Sequence, residues 1–453
     1  MMSSLSQRIQ RLNSAQRESV EAILQSWDAP AGDFVFPIVE GPPGTGKTRV
    51  GVLASARYRE ENRRPQVAYL CYTHFAADKA LEGFIELGFT PDDVLRVVDH
   101  WRSRFYQNFR YSNYYIAYNK VEELTRAQRD RLRRVPILIT TLHGSGKILK
   151  EIQTRPLIVV DEFSQCPPTL FFSTLSKIRS RSPGPSGYTL LGDPNQLPVI
   201  TSQPYLRPNI GTFILSRNTE YQPYQLTYQY RMHSSICQVV NALRDALNAS
   251  YHLQTHGYAQ GRTLTRLGYV WNRDCPSDFE QILDPNNACI IINTDNLPGM
   301  DDVSLGGSKY FSAEARLAAR LADMMYQSYV KQNGEHLLST ILSPYTAQNG
   351  MIKGYLQNPS LKEQCITIYQ AQGREYPCVV ISFARKNPSG WIGFLGEPEL
   401  RAQTYVACSR AMAKLIILLS FDTFVGRGYT DFDYLVERGG ALIVNAELGW
   451  VRE

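Results

Sequence analysis

Short, uninterrupted apolar runs alternate along the chain with longer stretches in which apolar residues recur every three or four positions. In the first half the runs are Val35–Val39, Gln66–Tyr72, Ile137–Thr141, Leu157–Val160 and Tyr188–Leu191. In the second half they are Ala288–Asn293, Leu337–Leu342, Cys365–Ile368, Cys378–Phe383 and Leu415–Ser420. Runs this short and this continuous read as strands covered on both faces, which is the habit of parallel sheets. Strands alternating with helical segments predict an α/β architecture, and two sets of strands predict two lobes. The expected division is 1–205 for the first lobe, 206–222 for a proline-containing linker and 223–453 for the second lobe. Around residues 95–135 the rhythm breaks into polar, aromatic and basic sequence, which predicts a helical insertion in the first lobe.

Composition narrows the classes. With 453 residues, 43% of them hydrophobic, the chain can bury two or three ordinary cores. The net charge of +6 is mild, but between Trp101 and Arg134 nine Lys/Arg face only three Asp/Glu. That stretch also holds eight aromatics, among them Trp101, Phe105, Phe109, Tyr114 and Tyr118. The rings either dock the insertion on its lobe while the arginines face water, or they form a surface that stacks bases. Eight scattered cysteines without a C-x-x-C pair indicate neither a disulfide framework nor a zinc module, and fit an intracellular, reducing setting. His252 and His256 stand four apart, but no second ligand pair lies nearby. The N-terminus has no apolar signal core, and the longest apolar runs are too short to span a bilayer, so no membrane partner is expected.

The run Gly41-Pro42-Pro43-Gly44-Thr45-Gly46-Lys47-Thr48 satisfies the phosphate-cradling pattern G-x-x-x-x-G-K-[ST], with a strand before it and a helix after it. Backbone N–H groups at such a helix start can face anionic oxygens, Lys47 can reach the β- and γ-phosphates, and Thr48 can ligate Mg²⁺. Leu157–Val160 runs into Asp161-Glu162: Asp161 is the second candidate Mg²⁺ ligand and Glu162 the candidate base for an attacking water. A second strand ends in Gly192-Asp193-Pro194-Asn195-Gln196, where the Gln196 amide could contact a γ-phosphate or its water. Arg231 and Arg410 each stand beside an apolar segment, where an arginine is either a surface ion-pair partner or a charge-stabilising finger. Gly144-Ser145-Gly146-Lys147 only imitates the loop, because Thr141 stands where the first glycine is needed and Ile148 follows the lysine.

In this order the motifs resemble the superfamily 1 helicases, and among them the up-frameshift/senataxin-like group. Leu12-Asn13-Ser14-Ala15-Gln16 is similar to its adenine-reading element and Leu226-Thr227-Tyr228-Gln229-Tyr230-Arg231-Met232-His233 to its fourth motif. Pro344-Tyr345-Thr346-Ala347-Gln348, Gln372-Gly373-Arg374-Glu375 and Ser409-Arg410-Ala411 match later ones. The resemblance implies two RecA-like lobes, with ATP in the cleft and single-stranded nucleic acid across both. It implies Gln16 for the adenine, Tyr230 stacking on the base, Arg231 and Arg410 as fingers, Gly373 near the γ-phosphate and Glu375 for the ribose. Strand contacts would fall on Thr73, His74, Thr140, Thr141, Pro344, Tyr345 and Thr367. Three positions depart from the family: Phe163 follows the Asp-Glu pair where small residues are usual, and Tyr369 and Ala371 precede Gln372. The family's N-terminal accessory barrel has no counterpart before Gln16, so a minimal motor core is expected.

These readings lead to an ATP-dependent, Mg²⁺-using helicase or translocase on single-stranded RNA or DNA, with 5′-to-3′ polarity implied by the family. The alternative from another class is a nucleic-acid clamp whose ATPase switches affinity without unwinding. A small-molecule P-loop enzyme is the third. The sequence leaves RNA against DNA and the oligomeric state open, a monomer being plausible.

Overall fold

The computed structural model describes residues 4–29, 36–61, 66–99, 111–118, 123–152, 156–177, 187–199, 201, 203, 208–218, 220–273, 275–304, 306–397 and 400–451. The chain divides into two compact units, Met1–Pro194 with Pro198–Thr227, and Asn195–Leu197 with Tyr228–Glu453.

The first unit is built on eight strands: β1 (Ile38–Glu40), β2 (Val67–Cys71), β3 (Val94–Asp99), β4 (Tyr115–Tyr118), β5 (Ile137–Thr141), β6 (Leu157–Asp161), β7 (Tyr188–Gly192) and β8 (Tyr224–Gln225). Their order is β4-β3-β5-β2-β6-β7-β1-β8 and every pairing is parallel. Apolar side chains cover both faces: Trp27, Leu53 and Phe84 belong to one core, Leu138, Ile158 and Phe171 to the other. Because the strands run one way, their C-terminal ends share an edge. Cys71 sits in register with both Thr141 and Asp161, so the turns after β2, β5 and β6 emerge side by side.

Two expectations about this unit change. Among the described residues, the stretch around 95–135, expected as a helical insertion, contributes the edge strand β4 and its neighbour β3 as well as helix Arg126–Arg134. Alternate residues of β4 are buried, Ile116 and Tyr118 among them, and this period of two had been masked by the charges around it. Of the aromatics proposed there, Tyr118 is buried and the Tyr114 hydroxyl donates to the Phe89 carbonyl at 2.9 Å, so both act as docking groups. Trp101, Phe105 and Phe109 lie outside the described residues. The second change concerns 206–222, expected as a linker. Its helix Ile210–Leu215, capped by Asn209, buries Ile210 in the first unit's core, and β8 then extends that unit's sheet.

The second unit repeats the plan with six strands: β9 (Cys289–Asn293), β10 (Thr340–Ser343), β11 (Cys365–Thr367), β12 (Tyr376–Ser382), β13 (Ala411–Leu419) and β14 (Leu442–Asn445). The order is β11-β10-β12-β13-β9-β14, again all parallel. One carboxylate ties two strand ends together. Glu314, buried in the first turn of helix Ser312–Ser328, accepts from Ser382 Oγ at 2.6 Å, from the Ala384 amide at 2.8 Å and from Thr294 Oγ1 at 3.3 Å. Burial pushes its pKa up to about 7 against the pull of these donors. The bond to Ala384 also holds that residue at φ +59, a conformation that a side chain disfavours.

Candidate nucleotide site and the arginines of the second unit

The phosphate loop leaves β1 and turns into helix Lys47–Glu61 through two left-handed glycines, Gly44 at φ +81 and Gly46 at φ +88. A Cβ on Gly46 would stand 2.8 Å from the Gln16 amide nitrogen, so the position is closed to larger residues. The loop braces itself: Thr45 Oγ1 donates to the Pro42 carbonyl at 2.8 Å, and the Gly41 amide donates to the Gly192 carbonyl at 2.9 Å. Lys47 is 7% exposed, with Nζ 3.4 Å from the Pro42 carbonyl. Gln16 donates to the Thr45 carbonyl at 2.9 Å and closes a capping box with Asn13, which fastens helix Ser14–Asp28 to the loop. One amide N–H and one lone pair remain on Gln16, which is what an adenine edge requires.

Opposite the helix start lies the end of β6. Asp161 is fully buried and its Oδ2 accepts from Thr48 Oγ1 at 2.8 Å and from the Tyr69 hydroxyl at 2.9 Å. Burial first, and the neighbouring Glu162 carboxylate second, raise the Asp161 pKa to about 6. The Tyr69 hydroxyl is pushed well up by burial and by Asp161. Glu162 is held at φ +64 with its amide on Asp161 Oδ1 at 3.0 Å, while its buried Oε2 has no hydrogen-bond partner in the protein. A hydroxyl and a buried carboxylate 2.8 Å apart, beside a second carboxylate with an unmatched oxygen, form an all-oxygen donor set of the kind Mg²⁺ takes together with phosphates. The residues present therefore fit a Mg²⁺-nucleotide. Tyr69 was not anticipated. The sequence clue was a tyrosine inside an otherwise apolar strand, whose buried hydroxyl must find a partner.

In the second unit the arginines are fixed by the backbone. Arg410 is 2% exposed and donates to the Val406 and Arg374 carbonyls at 2.9 and 3.2 Å and to Ser409 Oγ at 2.9 Å. Arg231 pairs with Glu375 at 2.6 Å and donates to the Ser409 carbonyl at 3.3 Å. Arg262 donates to the Arg231 carbonyl at 2.7 Å, and the Tyr230 ring lies 4.7 Å from His256. Arg231, Glu375, Gly373 and Arg410 are thus brought into one cluster, with Gly373 at φ +79 in the connecting turn. Gln196 falls in the short segment Asn195–Leu197 that groups with the second unit.

The residues expected to touch a strand are less uniform. Thr73 and Thr141 cap the helices that follow β2 and β5, and His74 Nδ1 lies 3.0 Å from the buried Arg96. Thr140 and Thr141 are buried, with the Thr141 hydroxyl accepting from the Gly144 amide, so their side chains serve the fold. Gly144–Lys147 itself lies within helix Leu142–Ile148, as its rejection as a phosphate loop requires. Pro344 and Thr367 stand at the C-terminal ends of β10 and β11, while Tyr345 is buried with its hydroxyl on the Ile392 carbonyl at 3.1 Å.

A family model described as an AAA domain matches residues 11–263, more than half of the chain, and a second of the same description matches 213–421. The chain belongs to the AAA-domain family, among its superfamily 1 helicases of the up-frameshift/senataxin-like group. This AAA-domain chain is 26% identical over 447 residues to the DNA replication ATP-dependent helicase/nuclease DNA2 of Mus musculus, covering 90% of itself and 37% of that protein. It is 21% identical over 454 residues to the ATP-dependent helicase upf1 of Schizosaccharomyces pombe, covering 90% of itself and 44% of that protein. The chain thus spans less than half of the length of both relatives. Among solved structures, an Arterivirus nonstructural protein 10 (helicase) with DNA aligns over 89% of this chain and 63% of that one, at 12% identity and a TM-score of 0.44.

Proposed function

We propose that this chain is a nucleic-acid-stimulated ATPase that moves along, and unwinds, RNA or DNA from a single-stranded stretch. The observation that carries the reading is the Thr48–Asp161 hydrogen bond at 2.8 Å, beside a Glu162 carboxylate whose buried oxygen has no protein partner. The relatives' descriptions as ATP-dependent helicases point the same way. In this reading the loop amides and Lys47 bind the β- and γ-phosphates, and Thr48 and Asp161 hold Mg²⁺. The ion supplies charge neutralisation on the phosphate oxygens. Glu162 orients a water and accepts its proton as the water oxygen bonds to the γ-phosphorus and the bond to the β-phosphate oxygen breaks. Arg231 and Arg410 are assigned the finger role, Gln16 the adenine and Glu375 the ribose, all carried from the family by position. Polarity is assigned as 5′-to-3′ on the same ground. Among the described residues no helix is long and apolar enough to cross a membrane, and all eight cysteines are free thiols, which suits an ATP-fuelled enzyme in an intracellular setting.

The test is ATP turnover without polymer, with single-stranded RNA and with single-stranded DNA at fixed salt, followed by strand separation on tailed duplexes. Stimulation together with separation is the expected result. Stimulation without separation would make the chain an ATP-switched clamp, and turnover indifferent to both polymers would overturn the nucleic-acid reading.

A further inference from the structure

The loop that follows β12 in the second unit carries a tryptophan in an unusual setting. Trp391 keeps 59% of its surface in solvent, yet both its amide and its carbonyl are held by side chains. Its amide donates to Asn387 Oδ1 at 3.1 Å, and its carbonyl accepts from Arg385 Nη2 at 2.5 Å and Asn387 Nδ2 at 3.0 Å. Arg385 is itself 1% exposed and paired to Asp301 at 2.6 Å, and Asp301 also accepts from Asn387 Nδ2 at 2.9 Å. Left-handed glycines flank the ring, Gly390 at φ +65 and Gly393 at φ +66. A Cβ on Gly393 would stand 3.1 Å from Arg385 Nη1 and 3.3 Å from the Tyr345 hydroxyl, so the turn fits closely beneath.

Fixing a loop this rigidly costs conformational entropy, and an indole left 59% in solvent returns little of it beyond its contacts with Arg385 and Lys309. The surroundings are cationic. The Arg385 guanidinium lies 5.0 Å from the indole centroid, Lys309 Nζ lies 6.0 Å from it, and the exposed Arg427 side chain packs beside Gly390. Tyr345, at the end of β10, shares the same scaffold through its bond to the Ile392 carbonyl and its ring contact with Phe394 at 5.0 Å. A rigid, exposed aromatic face ringed by positive charge is the arrangement that stacks a base and neutralises the phosphates beside it.

We propose that Trp391 is a stacking platform for one nucleobase of a single strand, with Lys309 and Arg427 contacting the flanking phosphates. The proposal rests on the nucleic-acid reading above. It is tested by the affinity of dye-labelled oligo(U) and oligo(dT) for the full chain and for Trp391→Ala, Trp391→Phe and Lys309→Ala. Trp391→Ala should weaken binding about tenfold, Trp391→Phe should recover most of the loss, and turnover without polymer should stay unchanged in both. Lys309→Ala should lower the slope of log affinity against log salt by about one. Unchanged affinity in Trp391→Ala, while the unaltered protein binds the strands, would overturn the platform alone. An unaltered protein that binds neither strand would overturn the nucleic-acid reading and the platform with it.

Discussion

The two units hold their charged residues by opposite means. In the first, the decisive charge is the carboxylate of Asp161, buried among apolar strands and met by two hydroxyls and the Glu162 amide, with its pKa raised to about 6. Hydroxyls stabilise a buried carboxylate incompletely, so the site gains from any cation that enters, and such a cation would pull that pKa back down. In the second, the charges are guanidiniums, whose fixed fork of donors is met by carbonyls of Val406, Arg374 and Ser409, by Ser409 Oγ and by the Glu375 carboxylate. Those bonds fix direction and leave little unmet demand. On the proposed reading, the first unit's carboxylate gains from a bound cation, whereas the second unit's arginines are held in place by the protein itself. Substitutions should separate the two: changes in the first should alter metal and nucleotide affinity together with turnover, and changes in the second should alter turnover with affinity largely kept.

The largest effect is expected for Lys47→Ala, which should bring ATP turnover to background, read by phosphate release; normal turnover would remove the phosphate loop from the chemistry. Arg410→Ala should lower turnover on the order of 10³-fold. If the contrast between the units holds, equilibrium binding of a nucleotide analogue changes far less than turnover in this variant. Tyr69→Phe keeps the ring but removes one of the two hydroxyls on Asp161. The Mg²⁺ concentration for half-maximal turnover should then rise about tenfold, while an unshifted Mg²⁺ titration would show that Tyr69 only packs.

The smallest effect lies away from both sites, in the Glu314 cluster. Its folded pKa of about 7 lies above the ordinary 4.5, so the protonated form is favoured by the fold. The stability this contributes is full below about pH 4.5 and is lost as pH rises through 7. Glu314→Gln can still accept from Ser382 and Ala384 through its amide oxygen and donate to Thr294. Thermal melts of the variant should therefore show a flatter pH dependence between about 5 and 8, a difference of a few kcal/mol at most. Parallel curves for the two proteins would contradict the assignment.

Much of this was legible in the sequence because it is local. β5 is found where the apolar run placed it, and the phosphate loop and the Asp161-Glu162 pair are spelled out by consecutive residues. What was not legible depends on residues far apart along the chain. Tyr69 and Asp161 meet because β2 and β6 are neighbours in the sheet, and Glu314 meets Ser382 because a helix start lies over the end of β12. β4 escaped notice because four residues of alternating burial between charged segments give too short a periodic signal.

Phe163, the residue that departs from the family beside the Asp-Glu pair, gives the site a history. Its ring occupies space that two glycines leave open: a Cβ on Gly192 would fall 2.5 Å from the ring, and one on Gly211 would also collide with it. Gly192 is the residue whose carbonyl accepts the Gly41 amide, so crowding there would reach the loop. The three positions are therefore coupled. Enlarging either glycine requires the Phe163 ring to move or to be made smaller. Substitutions harmless in a relative with a small residue at this position would be damaging when transplanted here singly, so sequence from the wider family is a safe guide to this corner only when taken three residues at a time.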